Sequence, residues 1–173
     1  MKNLQILLFL TIINVFLGCG TAHDYTTNNL NKSYFSEKTI FIKLNPSSKK
    51  QVFLNGMTGG QSVTQPDIKE TFKQALNEIS TETNVNCKFV ENFEGLTNDK
   101  NSLLFEAHIL EIDYNMGFST LTMKTVVDFK KTIDNKEIRA TGIRKSGGGK
   151  TVDNLRKSLK DVTFNFLKEL NKQ

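Results

Sequence analysis

The chain has 173 residues, with 23 Lys or Arg against 18 Asp or Glu, a formal net charge of +5, two histidines and two cysteines. That length supports one domain with a real core and excludes two ordinary ones. So few histidines and cysteines exclude a Cys/His metal cluster and a disulfide framework, and the mild positive excess speaks to solubility and surface attraction, not to a specific partner.

Residues 1–19 carry an early basic residue, Lys2, then an apolar run from Ile6 to Leu17 interrupted by Thr11 and Asn14, and end on Gly18-Cys19. The run is about 12 residues, below the ~20 needed to span a bilayer as a helix, so it reads as an export signal. Phe16-Leu17-Gly18-Cys19 resembles the lipobox of bacterial lipoproteins, whose cysteine is joined to diacylglycerol and becomes the first residue of the mature protein. The resemblance implies a signal peptide over residues 1–18 and a membrane anchor of acyl chains, palmitate included, on Cys19. Gly20 in place of an aspartate implies the outer membrane, with the domain facing the periplasm. Nucleic acid is excluded as a partner by that compartment. With Cys19 consumed, Cys87 has no partner in the chain and reads as a small buried apolar residue.

Residues 19–38 are rich in Thr and Asn and nearly free of aliphatic side chains, so they read as a lipidated flexible tether in which His23 is solvated. Residues 39–173 form the domain. Thr39-Ile40-Phe41-Ile42-Lys43-Leu44 is a strand stopped by Asn45-Pro46. Residues 49–65 contain Asn55-Gly56 and Gly59-Gly60 and read as a long loop or irregular hairpin, whose apolar tip Val52-Phe53-Leu54 folds back on the domain. Ile68, Phe72, Ala75, Leu76 and Ile79 recur at helical spacing behind Pro66 and Asp67, which predicts a helix over 67–81. Cys87-Lys88-Phe89-Val90 is a second strand and 92–101 a polar loop.

From 102 to 145 the period is two. Leu103, Phe105, Ala107 and Ile109 oppose Glu106 and His108; Leu121, Met123, Val127 and Phe129 oppose Lys124 and Asp128; Ile138, Ala140 and Gly142 oppose Arg139 and Thr141. One buried and one wet face is the pattern of an antiparallel run covered on one side, with Asp134-Asn135-Lys136 as a hairpin turn. Val152, Leu155, Leu159, Val162, Phe166 and Leu170 predict a last helix over 152–170 with Thr151 as its cap. The expected fold is α+β: a single domain with an antiparallel or mixed sheet of about five strands and two helices packed on one face.

This order of elements, with Gly18-Cys19, the Phe72 to Ile79 helix, the Leu103 to Ile109 strand, the Val126 to Thr141 hairpin and the Asp153-Asn154-Leu155 helix start, resembles the YajG-type outer-membrane lipoproteins. More remotely it is similar to the lipopolysaccharide-assembly and transport-auxiliary lipoproteins. The resemblance implies a non-catalytic accessory or binding role at the envelope.

Gly147-Gly148-Gly149-Lys150-Thr151 ends like a phosphate-binding loop, but the first glycine of that motif falls on Arg144 and the preceding strand belongs to an antiparallel hairpin, so no nucleotide is expected. His108 is the only base available to a nucleophile in the folded part, and Glu111 and Asp113, two apart on one strand, read as a wet edge. No enzyme activity, metal or cofactor is expected. Between 128 and 160 there are about ten basic and about four acidic residues. Arg139, Arg144, Lys145, Lys150, Arg156 and Lys157 are therefore the candidate surface for an anionic lipid or glycan or an acidic envelope protein. The expected function is a membrane-anchored accessory or binding component. The alternative is a lipid- or glycan-binding module using this basic hairpin and helix, and the third is an enzyme of unrecognised type.

Overall fold

The computed structural model describes Tyr25 and residues 30–56 and 63–172. The apolar run, Cys19, His23 and Gly59-Gly60 lie outside the described residues. In chain order the elements are α1 (Lys32–Phe35), β1 (Thr39–Leu44), β2 (Phe53–Gly56), α2 (Ile68–Thr83), β3 (Asn86–Phe89), β4 (Ser102–Met116), β5 (Leu121–Lys131), β6 (Glu137–Ser146) and α3 (Thr151–Leu170). The strands make one mixed sheet, β3-β1-β4-β5-β6, with β2 also on β4. The two long helices pack on each other and on one face of the sheet, so the α+β class holds, with six strands and a short additional helix among the described residues.

β1 runs parallel to both its neighbours, and α2 is the crossover that parallel pairing with β3 requires. Ile40 and Ile42 on β1 are fully buried beneath the helices. On β4, Leu103, Phe105, Ala107 and Ile109 face inward until a register shift between Ile109 and Glu111; Ile112 and Tyr114 then take over the buried face. Strict alternation would have carried Glu111 and Asp113 into the core, and the bulge turns them out.

Where a long loop or irregular hairpin is expected over 49–65, the described residues contain a short strand that pairs in parallel with β4. After β1, the Asn45 N–H donates to the Ala107 carbonyl (2.8 Å), the Ile109 N–H donates to Ser48 Oγ (3.0 Å), and the Lys49 N–H donates to the Ile109 carbonyl (2.9 Å). Phe53–Gly56 then pairs in parallel with Asp113–Met116. One edge of β4 is thus served by β1, a loop and β2 in succession, which satisfies its backbone polar groups. The Gln65 amide holds both the N–H and the carbonyl of Val52 (2.8 and 3.2 Å); Val52 is buried and Leu54 packs against the core, but Phe53 is half-exposed, so the expected tip folds onto the domain only in part.

Asp67 caps α2 through the Glu70 N–H (3.0 Å), and Asn84 ends it in the left-handed conformation (φ 56°). α3 differs from expectation: Thr151 is its first residue, and Lys150 occupies the cap position with no side-chain cap bond. Buried Asn154 ties this end down instead, donating to the Tyr114 hydroxyl (3.2 Å). α3 lies close on β6 because Gly142 has no side chain there; Ser158 Oγ donates to the Gly142 carbonyl (3.0 Å) and contacts Thr125 Oγ1 (2.9 Å). Phe166 fills the core centre, stacked on Phe129 (4.0 Å between centroids) and edge-on to Phe105 (5.0 Å).

The outer edge of β6 is sealed by the same helix. Asp161 accepts the Ile143 N–H (2.8 Å) and Asn165 donates to the Thr141 carbonyl (2.8 Å), which removes hydrogen-bonding groups that would otherwise recruit another strand. The described part of the segment read as a free tether is docked: Leu30 and Phe35 join the core and Tyr25 is buried on α3. A few large apolar side chains offset the ordering of a segment that is otherwise polar.

Candidate functional site

The six basic residues of the sequence expectation do not converge on one surface. Strand residues alternate faces, so Arg139 and Lys145 lie on the open side of the sheet while Arg144 is half-buried on the helix side. Asp128, opposite Arg139 in register, binds its guanidinium with two 2.6 Å hydrogen bonds. Arg156 lies between the long helices, 3.2 Å from a Glu78 oxygen and 3.3 Å from an Asp153 oxygen. Lys145, Lys150 and Lys157 are exposed and make no ion pair among the described residues. Acids on other elements, Asp128 on β5 and Glu78 on α2, thus pair with two of these charges.

The open sheet face is laced by cross-strand pairs. Lys43 bonds Glu106 (2.9 Å) and Lys124 bonds Glu111 (2.9 Å), and each lysine holds its carboxylate below the usual range. Asp113 moves the other way, because its carboxyl shares a proton with Glu111, and its pKa is raised. Both acids sit on the sheet surface, and Asp113 and Lys124 line a polar recess of about 360 Å³ with Asn55, Asn115 and Thr122.

His108 has a hydroxyl within reach, Ser47 Oγ at 3.4 Å from Nε2, and Asp128 is its cross-strand neighbour. These residue types make an acyl-transfer relay when the serine proton goes to the imidazole and the carboxylate orients the ring. Here the Ser47 hydroxyl donates to Asn45 Oδ1 (2.5 Å), and both Asp128 oxygens are occupied by Arg139. The geometry assembles the three residues without the relay. Among the described residues no group of three or more His, Cys, Asp or Glu is placed to hold a metal ion.

A cleft of about 520 Å³ opens where β1 and β3 end and α2 begins. Its floor is apolar, formed by Leu44, Pro46, Ile68, Phe89 and Val90, and Lys49, Lys50, Lys69, Asp67 and Glu91 surround it. Lys69 is paired with Glu91 (2.6 Å) and Asp67 caps the helix while keeping its charge, so the lining carries three ammonium groups against two carboxylates, and Lys49 and Lys50 make no ion pair among the described residues. An apolar floor beneath two ammonium groups suits an amphipathic anion. The sequence reading passed over this site; its signal was the dibasic Lys49-Lys50 following a strand end and Pro46.

No family model matches the chain, and no curated protein matches it. Among solved structures it is similar to a PelC dodecamer from Paraburkholderia phytofirmans, with 10% identity over 86% of this chain and 97% of that one and a TM-score of 0.43. It is also similar to a putative neuraminyllactose-binding hemagglutinin homolog from Helicobacter pylori, with 11% identity over 86% and 91% and a TM-score of 0.35. A third similar structure is described as an uncharacterized protein, with 8% identity over 79% and 91% and a TM-score of 0.37. These values carry no argument about the role of this chain.

Proposed function

We propose that the chain is a lipid-anchored lipoprotein of the bacterial envelope, of the kind the YajG-type resemblance implies, held at the outer membrane by acyl chains on Cys19 with its domain facing the periplasm. It acts there as a non-catalytic accessory or binding component, with no nucleotide, metal or cofactor of its own. The observation that carries this reading is the short apolar run that ends on Gly18-Cys19 ahead of a folded domain. No helix among the described residues is long and apolar enough to cross a membrane. Metabolic labelling with a fatty-acid analogue tests it: wild type takes up label and Cys19→Ala does not, and equal labelling of the two would sink the proposal.

The cleft beside α2 favours a second reading, a module that binds an amphipathic anion such as a lipid. Titration with a fluorescent fatty acid, comparing wild type with Ile68→Asp and with a Lys49→Glu, Lys50→Glu pair, separates the readings. Saturable binding weakened by both changes supports lipid binding, and no binding by wild type rejects it.

A further inference from the structure

We infer that the outer surface of α3, on which Tyr25 is seated, is the face that the domain turns toward the bilayer. The inference rests on the proposed acylation of Cys19 and deepens it. Tyr25 is 6% exposed; its ring meets Phe164 edge-on at 5.1 Å and takes the Lys160 ammonium at 5.4 Å. Lys160 is itself fixed to α2, with Nζ 3.1 Å from Glu78 and 2.5 Å from Glu82. The chain is therefore pinned to the helix pair at Tyr25 before it runs back to Cys19.

Six positions separate Tyr25 from Cys19. An extended chain covers at most ~3.3–3.6 Å per residue, so the lipid-bearing cysteine stays within roughly 20 Å of the Tyr25 seat. A domain of this length has a radius of gyration of about 14–15 Å, hence a diameter of roughly 35–40 Å. A tether shorter than the diameter cannot pass around the domain, and the side of α3 away from the sheet is left nearest the membrane. Its chemistry suits anionic headgroups. Lys157, Phe164 and Lys168 follow one another at helical spacing, and Lys168 Nζ lies 5.9 Å from the Phe164 ring, a combination of aromatic body and ammonium tip found at lipid interfaces. The acids near this surface are each engaged, Glu78 and Glu82 by Lys160, Asp153 by Arg156, Glu169 by Lys172, and Asp161 by the Ile143 N–H. The open sheet face, with its Lys43–Glu106 and Lys124–Glu111 pairs, points to the periplasm.

The test uses the full acylated protein in vesicles of phosphatidylethanolamine and phosphatidylglycerol containing a headgroup quencher. A fluorophore is placed on Lys157→Cys, on the α3 surface, or on Lys130→Cys, on the open sheet face. Quenching is expected to be several-fold stronger at the first site, and Tyr25→Ala is expected to bring the two closer together. Equal quenching, stronger quenching at the second site, or a ratio that survives Tyr25→Ala overturns the inference. Flotation of Cys19→Ala with the vesicles as readily as wild type overturns the anchor reading and this inference with it, whereas flotation of wild type alone with equal quenching overturns the inference only.

Discussion

Replacing Gly142 by alanine probes the contact on which the packing of α3 against β6 depends. An added Cβ would meet backbone atoms, the Ser158 carbonyl oxygen and the Val162 nitrogen (2.6 Å), as well as Val162 Cγ2 (2.7 Å). Backbone cannot rotate aside, so the helix must lift by roughly 1.5 Å to reach the ~3.5–4.0 Å of ordinary contact, and a gap of that size forfeits about half or more of each lost contact's attraction. Leu155, Leu159, Val162 and Phe166 are fully buried on this helix and all feel the shift. Overpacking costs about 1–3 kcal/mol, and stretching the Ser158–Gly142 and Asp161–Ile143 hydrogen bonds about 1 kcal/mol each, for a total of about 3–5 kcal/mol. That is a large part of the roughly 7–20 kcal/mol expected of a domain of this length. Urea unfolding followed by far-ultraviolet circular dichroism measures it, with Gly147→Ala as the control, because no atom lies within 4 Å of a Cβ there. The control should stay within about 0.5 kcal/mol of wild type. A Gly142→Ala protein equally close to wild type would refute the close approach of helix and strand.

Three further outcomes follow from single sites. Burial pushes the Cys87 thiol up to about 12, so a thiol reagent should label it only on unfolding; the unfolded thiol ionises near its ordinary value of 9.0 while the folded one does not, so stability should fall as pH rises from 9.0 toward about 12, and a Cys87→Ala protein should lose less across that window. Fast labelling of the native protein would contradict this burial. Glu111→Ala should let the raised Asp113 pKa move back toward the usual carboxylate range, because the carboxylate that accepts its proton in a hydrogen bond is gone; carboxyl carbon shifts followed against pH report it, and an unmoved titration would contradict the shared proton. Titration with ATP and magnesium should give no saturable binding for wild type or Lys150→Ala, and micromolar binding would mean that the turn before α3 has been misread.

The parts of the fold legible in the sequence are those whose cause is local. Phe72, Leu76 and Ile79 lie on one stripe of α2 behind the Asp67 cap, and the alternation through Leu103, Phe105, Ala107 and Ile109 needs only the strand period. β2 is not legible as a paired strand in a segment that suggests a long loop or irregular hairpin, because Phe53-Leu54-Asn55-Gly56 has no strand signal of its own; Asp113–Met116, some sixty positions later, provides the partner. The bulge at Ile109/Glu111 was hidden for the same reason, since an extra residue shows only against its neighbouring strand. Tyr25, Leu30 and Phe35 were lost among Thr and Asn, where composition outweighed three side chains that the core takes up. The distribution of the basic residues was hidden for another reason: Arg139 and Arg144 are close in sequence but lie on opposite faces of β6, and Asp128 and Glu78 reach Arg139 and Arg156 from other elements.

The anchor is the claim on which the functional account stands, and mass spectrometry of the amino terminus of the protein extracted from membranes tests it most directly. The account predicts a mature chain that begins at Cys19 and carries a diacylglycerol thioether, with further acylation at its amino group where the host adds it. A chain that begins at any other residue, or at Cys19 with a free thiol, would contradict it.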